Sequence, residues 1–243
     1  MSRLVSVKRI ADGLHLLPGL VNMYLLDTDD GLALIDTGFP GSTKKVMSAV
    51  TALGRTPADI RHIVLTHCHP DHIGSAAAVQ RATGATVWAH PIDAPMIEAG
   101  ETMRQPMTPS PGLRNRILAS LLSGRVRNVE PVKVDHLLED GDHLPFLPDV
   151  SVIHVPGHCA GQIALLWQRH GGVMFSADAC INRRGLRLAI ATEDRAVALA
   201  SLARLATFAF DKLCVMHGPP ILSGADAEFR KTAFAGSNPI GKE

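Results

Sequence analysis

Three histidines and one aspartate fall within six consecutive residues, directly after an aliphatic segment. The cluster is His67-Cys68-His69-Pro70-Asp71-His72, and the segment before it is Ile63-Val64-Leu65. Imidazole nitrogens and carboxylate oxygens are the ligands that zinc and similar first-row metals prefer in proteins. Without a cation, four such groups packed beside a strand end would repel or desolvate one another. The cluster therefore predicts a metal site rather than a solvated polar turn.

This cluster and its flanks resemble the signature of the metallo-β-lactamase-fold hydrolases. The segment from Thr66 to Gly74 carries the signature, and other segments match the family's remaining motifs in the family's chain order. Those segments are Leu34–Gly38, Pro156–His158, Ser176–Ala179 and Val215–Gly218. The resemblance spans the chain from Asn22 to His217.

The resemblance implies an α/β (α+β) fold, a four-layer αββα sandwich with a dinuclear metal site at the sheet edge. It also implies seven metal ligands, which are His67, His69, Asp71, His72, His158, Asp178 and His217. His158 would complete the ligands of one metal and His217 those of the other, while Asp178 would bridge both. Asp36, at the end of a strand, would support the centre by hydrogen bonding to ligands. The expected cofactors are two divalent metal ions, zinc first, with iron or manganese as alternatives.

Two adjacent divalent cations stabilise hydroxide, so a water held between them loses a proton readily. That metal-bridging hydroxide would attack a carbonyl, and one metal would carry the negative charge of the oxyanion. The expected catalytic residues are Asp71 and Asp178, with Asp36 supporting the centre. The sequence thus predicts a dinuclear metal-dependent hydrolase acting on a small ester, lactone or thioester.

Other activities stay open within the same resemblance. Relatives of persulfide dioxygenases use a single iron with this cluster, and a promiscuous β-lactam hydrolase is a further alternative. True zinc β-lactamases typically carry Cys or Ser where this chain has Asp178, and the chain lacks the continuation typical of glyoxalase II. Acyl-homoserine lactonases keep a tyrosine after the bridging aspartate, whereas this chain has Ala179–Asn182 there and only Tyr24 elsewhere. A non-catalytic binding module would be expected to have lost ligands, and none is missing.

Arg183 and Arg184 follow the fourth motif. Guanidinium groups bind carboxylates and phosphates through paired hydrogen bonds, so these arginines can meet an anionic group of a substrate. A solvated basic loop explains the same two residues equally well.

The remaining histidines and the cysteines match no ligand motif. No role is assigned to the histidines, which are His15, His62, His90, His136, His143, His154 and His170. His154 is expected to be structural. Cys68, Cys159, Cys180 and Cys214 form no C-x-x-C pair, which favours reduced thiols. One of them can be a metal ligand, but small buried residues are the favoured interpretation.

Composition narrows the class of protein. The 243 residues include 46% hydrophobic residues, which suits one globular domain over 1–243. Because the net charge is only +1, the protein has no strong positive electrostatic field that would bind nucleic acid or an anionic membrane. The segment Met1–Lys8 lacks the apolar stretch of a secretory signal, so a cytoplasmic protein is expected. The expected partner is a small-molecule substrate.

Local patterns predict the elements that position these residues. Asp29-Asp30-Gly31 predicts a hairpin between two apolar segments, and Ser42 is expected to cap a helix that reaches Leu53. The strand Arg61–Thr66 would deliver the metal cluster. The other predicted helices are Ser75–Ala82, Glu193–Phe208 and Ala225–Phe234, and the other strands are Thr86–Ala89, Val150–Val155, Gln162–Trp167, Val173–Ser176 and Leu213–Met216.

Residues from about 91 to 131 do not follow this alternation and are expected to form a helical insertion. After the prolines Pro106, Pro109 and Pro111, one helical face carries Leu113, Ile117, Leu118, Leu121 and Leu122, beside Arg114, Arg116 and Arg125. The insertion can be a lid over an apolar substrate pocket, a homodimer contact, a membrane-surface helix or a helix packed on the core.

Overall fold

The structure, a computed structural model, describes residues 7–104, 107–122 and 128–234. It divides into two compact units. Unit 1 consists of Met1–Met103, Asn128–Leu138 and Pro145–Pro148. Unit 2 consists of Arg104–Arg127, Glu139–Leu144 and Asp149–Glu243. The single domain that composition suggests stays a prediction.

Short strands and short helices alternate along the described chain. The strands are β1 (Lys8–Ala11), β2 (Leu14–Leu17), β3 (Met23–Thr28), β4 (Gly31–Ile35), β5 (Ile60–Val64), β6 (Thr86–Ala89), β7 (Thr108–Pro109), β8 (His136–Leu137), β9 (His143–Leu144), β10 (Leu147–His154), β11 (Ile163–Trp167), β12 (Val173–Phe175), β13 (Ile181–Asn182), β14 (Leu186–Arg187), β15 (Ala191–Thr192) and β16 (Lys212–Cys214). The helices are α1 (Thr43–Ala52), α2 (Pro70–Ile73), α3 (Ala76–Thr83), α4 (Ala94–Ala99), α5 (Leu113–Leu122), α6 (Arg195–Leu205) and α7 (Ala225–Phe234), with a 3-10 turn at Pro57–Asp59.

Unit 1 contains a seven-stranded sheet in the order β1-β2-β3-β4-β5-β6-β8. The strands from β1 to β4 pair antiparallel, and those from β4 through β5 and β6 to β8 pair parallel. All five residues of β4 are buried, as expected for an aliphatic strand inside a sheet. Because parallel strands end at the same edge, the residues that follow β4, β5 and β6 meet there: Asp36, the cluster from His67, and the segment from His90.

Most predicted elements of unit 1 are confirmed. The hairpin at Asp29-Asp30 joins β3 and β4, and the strand that delivers the cluster is β5. Ser42 is the N-cap residue of α1, as predicted, but its side chain makes no capping hydrogen bond. Instead, the Ser42 backbone N–H donates to the Ser75 hydroxyl at 2.9 Å, which ties the start of α1 to the start of α3.

Unit 2 contains a five-stranded sheet in the order β16-β12-β11-β10-β9. The first two residues of β10, Leu147 and Pro148, are counted with unit 1. β10, β11 and β12 pair antiparallel, and β16 pairs parallel with β12. The helices α6 and α7 cover one apolar face. That core includes Ile153, Leu166, Met174, Leu202, Leu205, Phe210 and Phe229. The predicted strands and helices of this region are confirmed, with ends shifted by a few residues.

The predicted insertion contains α4, β7 and α5. The helix that the apolar face predicts is present, but Leu113 is 71% exposed and Ile117 is 52% exposed, so these two side chains do not pack on a core. Pro106, Arg125 and the N-terminal residues 1–6 lie outside the described residues. The same holds for the side chains of Arg114, Leu118, Leu121 and Leu122.

The sequence predictions omit most of the shortest elements, which are the strands β1, β2, β7, β8, β9 and β15, the helices α2 and α4, and the hairpin of β13 and β14. Two-residue and four-residue strands leave too few positions for an apolar period to emerge. In the described ranges, no helix combines the length and apolar character that crossing a membrane requires.

Candidate metal centre

Asp36 organises the cluster of unit 1. The residue is fully buried and adopts a φ of 57° directly after β4. Its Oδ1 accepts the backbone N–H of Thr66 at 2.8 Å. Its Oδ2 accepts the Thr66 hydroxyl at 2.8 Å and pairs with His72 Nδ1 at 2.7 Å. One carboxylate therefore fixes both the start of the cluster and one of its histidines.

These contacts decide which ring nitrogens carry protons. A carboxylate oxygen only accepts, so His72 Nδ1 donates to Asp36. Since the Thr66 hydroxyl proton already goes to Asp36, the hydroxyl oxygen accepts from His67 Nδ1 at 3.1 Å. Both rings then present the lone pair of Nε2, the form in which histidine binds a metal.

The donor atoms of unit 1 have the spacing of metal ligands. His67 Nε2 and His69 Nδ1 are 3.1 Å apart. Two nitrogens bound to one tetrahedral zinc at about 2.05 Å would be about 3.3 Å apart. Asp71 Oδ2 lies 3.7 Å from His72 Nε2. His67, His69 and His72 are almost fully buried, which suits groups that hold an ion rather than groups that face solvent.

Asp93 is a residue of this region that the sequence analysis missed. It is 1% exposed, and its Oδ2 accepts the backbone N–H of Cys68 at 2.9 Å. The amide of Cys68 lies between the two ligand candidates His67 and His69. Asp93 stands at the start of α4, four residues after β6, so its place near the edge where parallel strands end is the signal that could have indicated it.

His158 is held by two hydrogen bonds in unit 2, and a third fixes its neighbour Ala160. Its Nδ1 donates to the carbonyl oxygen of Ala191 at 2.8 Å, which leaves the Nε2 lone pair for a metal. Its own carbonyl accepts the N–H of Glu193 at 3.3 Å, and Glu193 Oε2 accepts the N–H of Ala160 at 2.8 Å. The preceding Gly157 has a φ of 121°, and a Cβ there would come within 2.2 Å of Ala198 N in α6.

Asp178 contacts both other ligand candidates of unit 2. Its Oδ2 lies 3.1 Å from His217 Nε2 and 3.6 Å from His158 Nε2. One separation is slightly shorter and the other slightly longer than the distance of about 3.3 Å expected between two ligand atoms of one tetrahedral zinc ion. The backbone N–H of Asp178 donates to the side chain of Gln162 at 3.2 Å, which fixes the carboxylate after β12. The donor set of this unit therefore fits a divalent metal.

All seven predicted ligands thus belong to one of two groups. Unit 1 brings together His67, His69, Asp71 and His72, and unit 2 brings together His158, Asp178 and His217. His154 lies on β10, where its Nε2 pairs with the carbonyl of Ala160 at 2.8 Å. His62 stacks on Phe146, and burial lowers its pKa.

The four cysteines are buried, and the structure pairs none of them in a disulfide. Burial raises the pKa of the Cys180 thiol to about 12, so this thiol stays protonated at neutral pH. Cys159 Sγ accepts from Arg104 Nη1 at 3.3 Å, and Arg104 also faces Glu193 at 3.7 Å. Reduced thiols stay a prediction.

Comparison with known proteins places these features in a family. The sequence profile of the metallo-beta-lactamase superfamily matches residues 16–217. The uncharacterized protein YobT of Bacillus subtilis is 31% identical over 212 residues, covering 82% of this chain and 83% of that protein. An N-acyl homoserine lactonase of a Bacillus species is 24% identical over 226 residues, covering 82% of this chain and 78% of that protein.

A solved β-lactamase from Chitinophaga pinensis shares the fold. Its TM-score is 0.71 at 24% identity, and the match covers 96% of this chain and 91% of that one. This likeness confirms the predicted fold class.

Proposed function

The chain belongs to the metallo-beta-lactamase superfamily, and on that premise we propose that it is a dinuclear metal-dependent hydrolase of a small ester, lactone or thioester. The proposed ligands are His67, His69, Asp71, His72, His158, Asp178 and His217, and the proposed ions are two Zn²⁺. The observation that carries the proposal is the spacing of donor atoms inside each unit. The nitrogens of His67 and His69 are 3.1 Å apart, and Asp178 Oδ2 lies 3.1 Å from His217.

When bound, divalent zinc supplies Lewis acidity: it lowers the pKa of a water and polarises a carbonyl oxygen. The protein's own residues prepare the donors for that task. Asp36 keeps the Nδ1 protons on His72 and, through Thr66, on His67, so that each ring offers Nε2. The carbonyl oxygen of Ala191 accepts a hydrogen bond from His158 Nδ1, so this ring also offers Nε2. Asp178 Oδ2 lies 3.1 Å from His217 Nε2 and 3.6 Å from His158 Nε2, and the two oxygens of its carboxylate would let it serve as the proposed bridging ligand.

The proposed substrate class draws on the lactonase relative and on the residues around Asp178. An aspartate at that position differs from the Cys or Ser of true zinc β-lactamases, and the likeness to solved β-lactamases indicates the fold alone. Tyr24, the sole tyrosine, is fully buried in β3 and cannot serve as the tyrosine of acyl-homoserine lactonases. A lactone is therefore one candidate beside linear esters and thioesters.

Metal analysis paired with a substrate screen tests the proposal. Protein purified without added metal is expected to contain close to two zinc ions per chain and to hydrolyse at least one lactone, ester or thioester. Chelation should abolish the hydrolysis, and added Zn²⁺ should restore it. A single tightly held iron together with oxygen uptake would contradict the proposal and support an oxygenase.

A further inference from the structure

The hairpin of β13 and β14 concentrates positive charge. Its turn is Arg183-Arg184-Gly185, and Arg187 follows on β14. Between Ala179 and Thr192 there are three arginines and no acidic residue. The net charge of the whole chain is +1, so the rest of the chain carries 1 − 3 = −2. The hairpin is therefore a local cationic site on a protein that is otherwise slightly acidic.

None of the residues that the structure describes neutralises the charge of this turn. Arg183 and Arg184 are exposed, and neither forms an ion pair with any residue that the structure describes. Arg187 is half-buried and donates from Nη2 to the carbonyl of Arg184 at 3.3 Å, so it braces the turn. By contrast, Arg169 and Arg204 of the same unit pair with Asp149 and Asp140.

The backbone of the turn is held in an uncommon conformation. Arg184 has a φ of 63°, in the left-handed region that glycine and asparagine usually occupy, and Gly185 follows with a φ of 99°. Non-glycine residues in this region persist where the surrounding structure fixes them, and they are frequent at ligand-binding sites. The turn therefore displays two adjacent guanidinium groups from a fixed backbone.

The hairpin is also fixed to the segment that carries His217. The backbone N–H of Asn182 donates to the carbonyl of His217 at 2.8 Å, and Asn182 Nδ2 donates to the carbonyl of Pro219 at 2.8 Å. Gly218 lies against Asn182 so closely that a Cβ would come within 1.8 Å of the Asn182 oxygen. Asp178 precedes Arg183 by five residues, a path of at most about 18 Å even when fully extended.

We propose that Arg183 and Arg184 bind an anionic group of the substrate, so that the ester, lactone or thioester carries a carboxylate or phosphate away from the bond that is cleaved. The inference rests on the proposed function for the position of the reacting bond. Paired guanidinium groups match the planar geometry of a carboxylate and the oxygens of a phosphate. The contacts of Asn182 hold the backbone of the turn beside the segment that carries His217, a proposed metal ligand.

Two esters of similar length separate anion recognition from catalysis. Mono(4-nitrophenyl) glutarate carries a carboxylate, and 4-nitrophenyl pentanoate carries none. In the double variant Arg183→Ala/Arg184→Ala, kcat/KM for the glutarate ester should fall at least tenfold through KM, while the value for the pentanoate ester stays within twofold. An analogue with a terminal phosphate distinguishes the two anions, because the ester with the larger loss identifies the preferred one.

Matched variants exclude trivial causes. Arg183→Lys/Arg184→Lys keeps the charge but loses the paired geometry, and it should retain only part of the preference. Arg61→Ala removes one positive charge, half of that lost in the double alanine variant, from an exposed position on β5, and it should leave kcat/KM for both esters unchanged. Equal losses for both esters in the double alanine variant, or no loss for either, would overturn the proposed anion site.

A binding measurement that needs no turnover distinguishes failure of the proposed hydrolase function from failure of the proposed anion site. If the wild-type protein holds zinc but hydrolyses neither these two esters nor any lactone, ester or thioester of the substrate screen, the proposed function fails, and glutarate and inorganic phosphate are then titrated calorimetrically into metal-free protein. Binding of either anion that weakens at least tenfold in the double alanine variant supports the anion site by itself. Binding that is absent, or equal in both proteins, overturns it.

Discussion

The carboxylate of Asp93 accepts the backbone N–H of Cys68 at 2.9 Å, and Asp93 itself is 1% exposed. This contact joins the start of α4 to the amide between His67 and His69. With Asp36, which accepts the N–H of Thr66 two residues earlier, it holds the segment at alternate amides. Two buried carboxylates from different strand ends therefore set the course of one short segment.

Replacing Asp93 with alanine should weaken metal binding by roughly 10-fold to 100-fold, because residues that support ligands have effects of this size. Asp93→Asn keeps an oxygen acceptor for Cys68 and should recover much of the affinity. Competition with a chelator measures the affinity, and Co²⁺ absorption reports the ligand geometry.

Asp135 provides the matched control for Asp93. Its Oδ2 accepts the backbone N–H of Val87 at 3.0 Å, in the same sheet but away from the cluster. Asp135→Ala should lower stability without changing the Co²⁺ spectrum. If both alanine variants change metal affinity equally, Asp93 has no specific positioning role.

Replacing Asp178 with asparagine should lower the content of both metals and reduce turnover, since a neutral amide is a weaker ligand than a bridging carboxylate. The backbone contact with Gln162 does not involve the altered group and should keep the segment in place. Elemental analysis after gel filtration measures the metal. Full metal content with full turnover would count against the bridging role.

Gly218→Ala should destabilise the protein by more than Gly84→Ala. Both glycines have a positive φ, of 102° and 75°, so both substitutions carry the conformational cost of about 1 kcal/mol. Only at Gly218 does the added Cβ meet an atom, the oxygen of Asn182, whereas at Gly84 nothing lies within 4 Å. Urea unfolding measures both, and equal losses would show that the contact with Asn182 relaxes freely.

The thiols should react slowly in the native protein. All four cysteines are buried, and the pKa of Cys180 is raised to about 12 by burial. Ellman's reagent at pH 8 should therefore release little thiolate until denaturant is added, after which four thiols per chain react. Mass spectrometry identifies the modified residue, and rapid native labelling of Cys180 would contradict the burial argument.

Asp140 should contribute stability that is lost in acid. Its hydrogen bond from Arg204, at 2.8 Å, lowers its pKa below the ordinary 3.8. A lowered carboxyl pKa stabilises the folded state above 3.8, and this stabilisation disappears as pH falls through the folded pKa. The pair is partly exposed, so the contribution is expected to stay below about 1 kcal/mol.

Asp140→Asn isolates this contribution. The variant should be less stable than the wild-type protein at pH 7, and the two should converge near pH 2. Urea midpoints at both pH values measure the difference. A difference that persists unchanged in acid would exclude the ion pair as its cause.

The sequence indicates the candidate ligands more directly than it indicates the residues that hold them in place. His67, His69, Asp71 and His72 are adjacent in the chain, and the family motifs mark His158, Asp178 and His217. Asp93 carries no motif, and its importance depends on the parallel pairing of β5 and β6, which brings two distant segments to one edge. Side-chain contacts across a sheet leave no local pattern in the sequence.

The helical insertion shows the same limit. Spacing of apolar residues predicts α5 correctly, but it does not reveal that Leu113 and Ile117 are exposed. Periodicity gives the conformation of a segment, whereas the partner of its apolar face depends on tertiary packing. Ser42 shows the same dependence on tertiary contacts: the sequence places it correctly at the start of α1, but its backbone N–H donates to the Ser75 hydroxyl and its side chain makes no capping hydrogen bond.

Asp36 and Asp93 have a consequence for how the protein acquires its ions. Their hydrogen bonds involve backbone amides and protein side chains, so the segment of His67 has its shape before any cation arrives. Little of the binding free energy then goes into ordering the chain, in contrast to small zinc modules that are unfolded without metal. We therefore expect a preorganised metal site. The apoprotein should remain folded and should be able to exchange one ion for another.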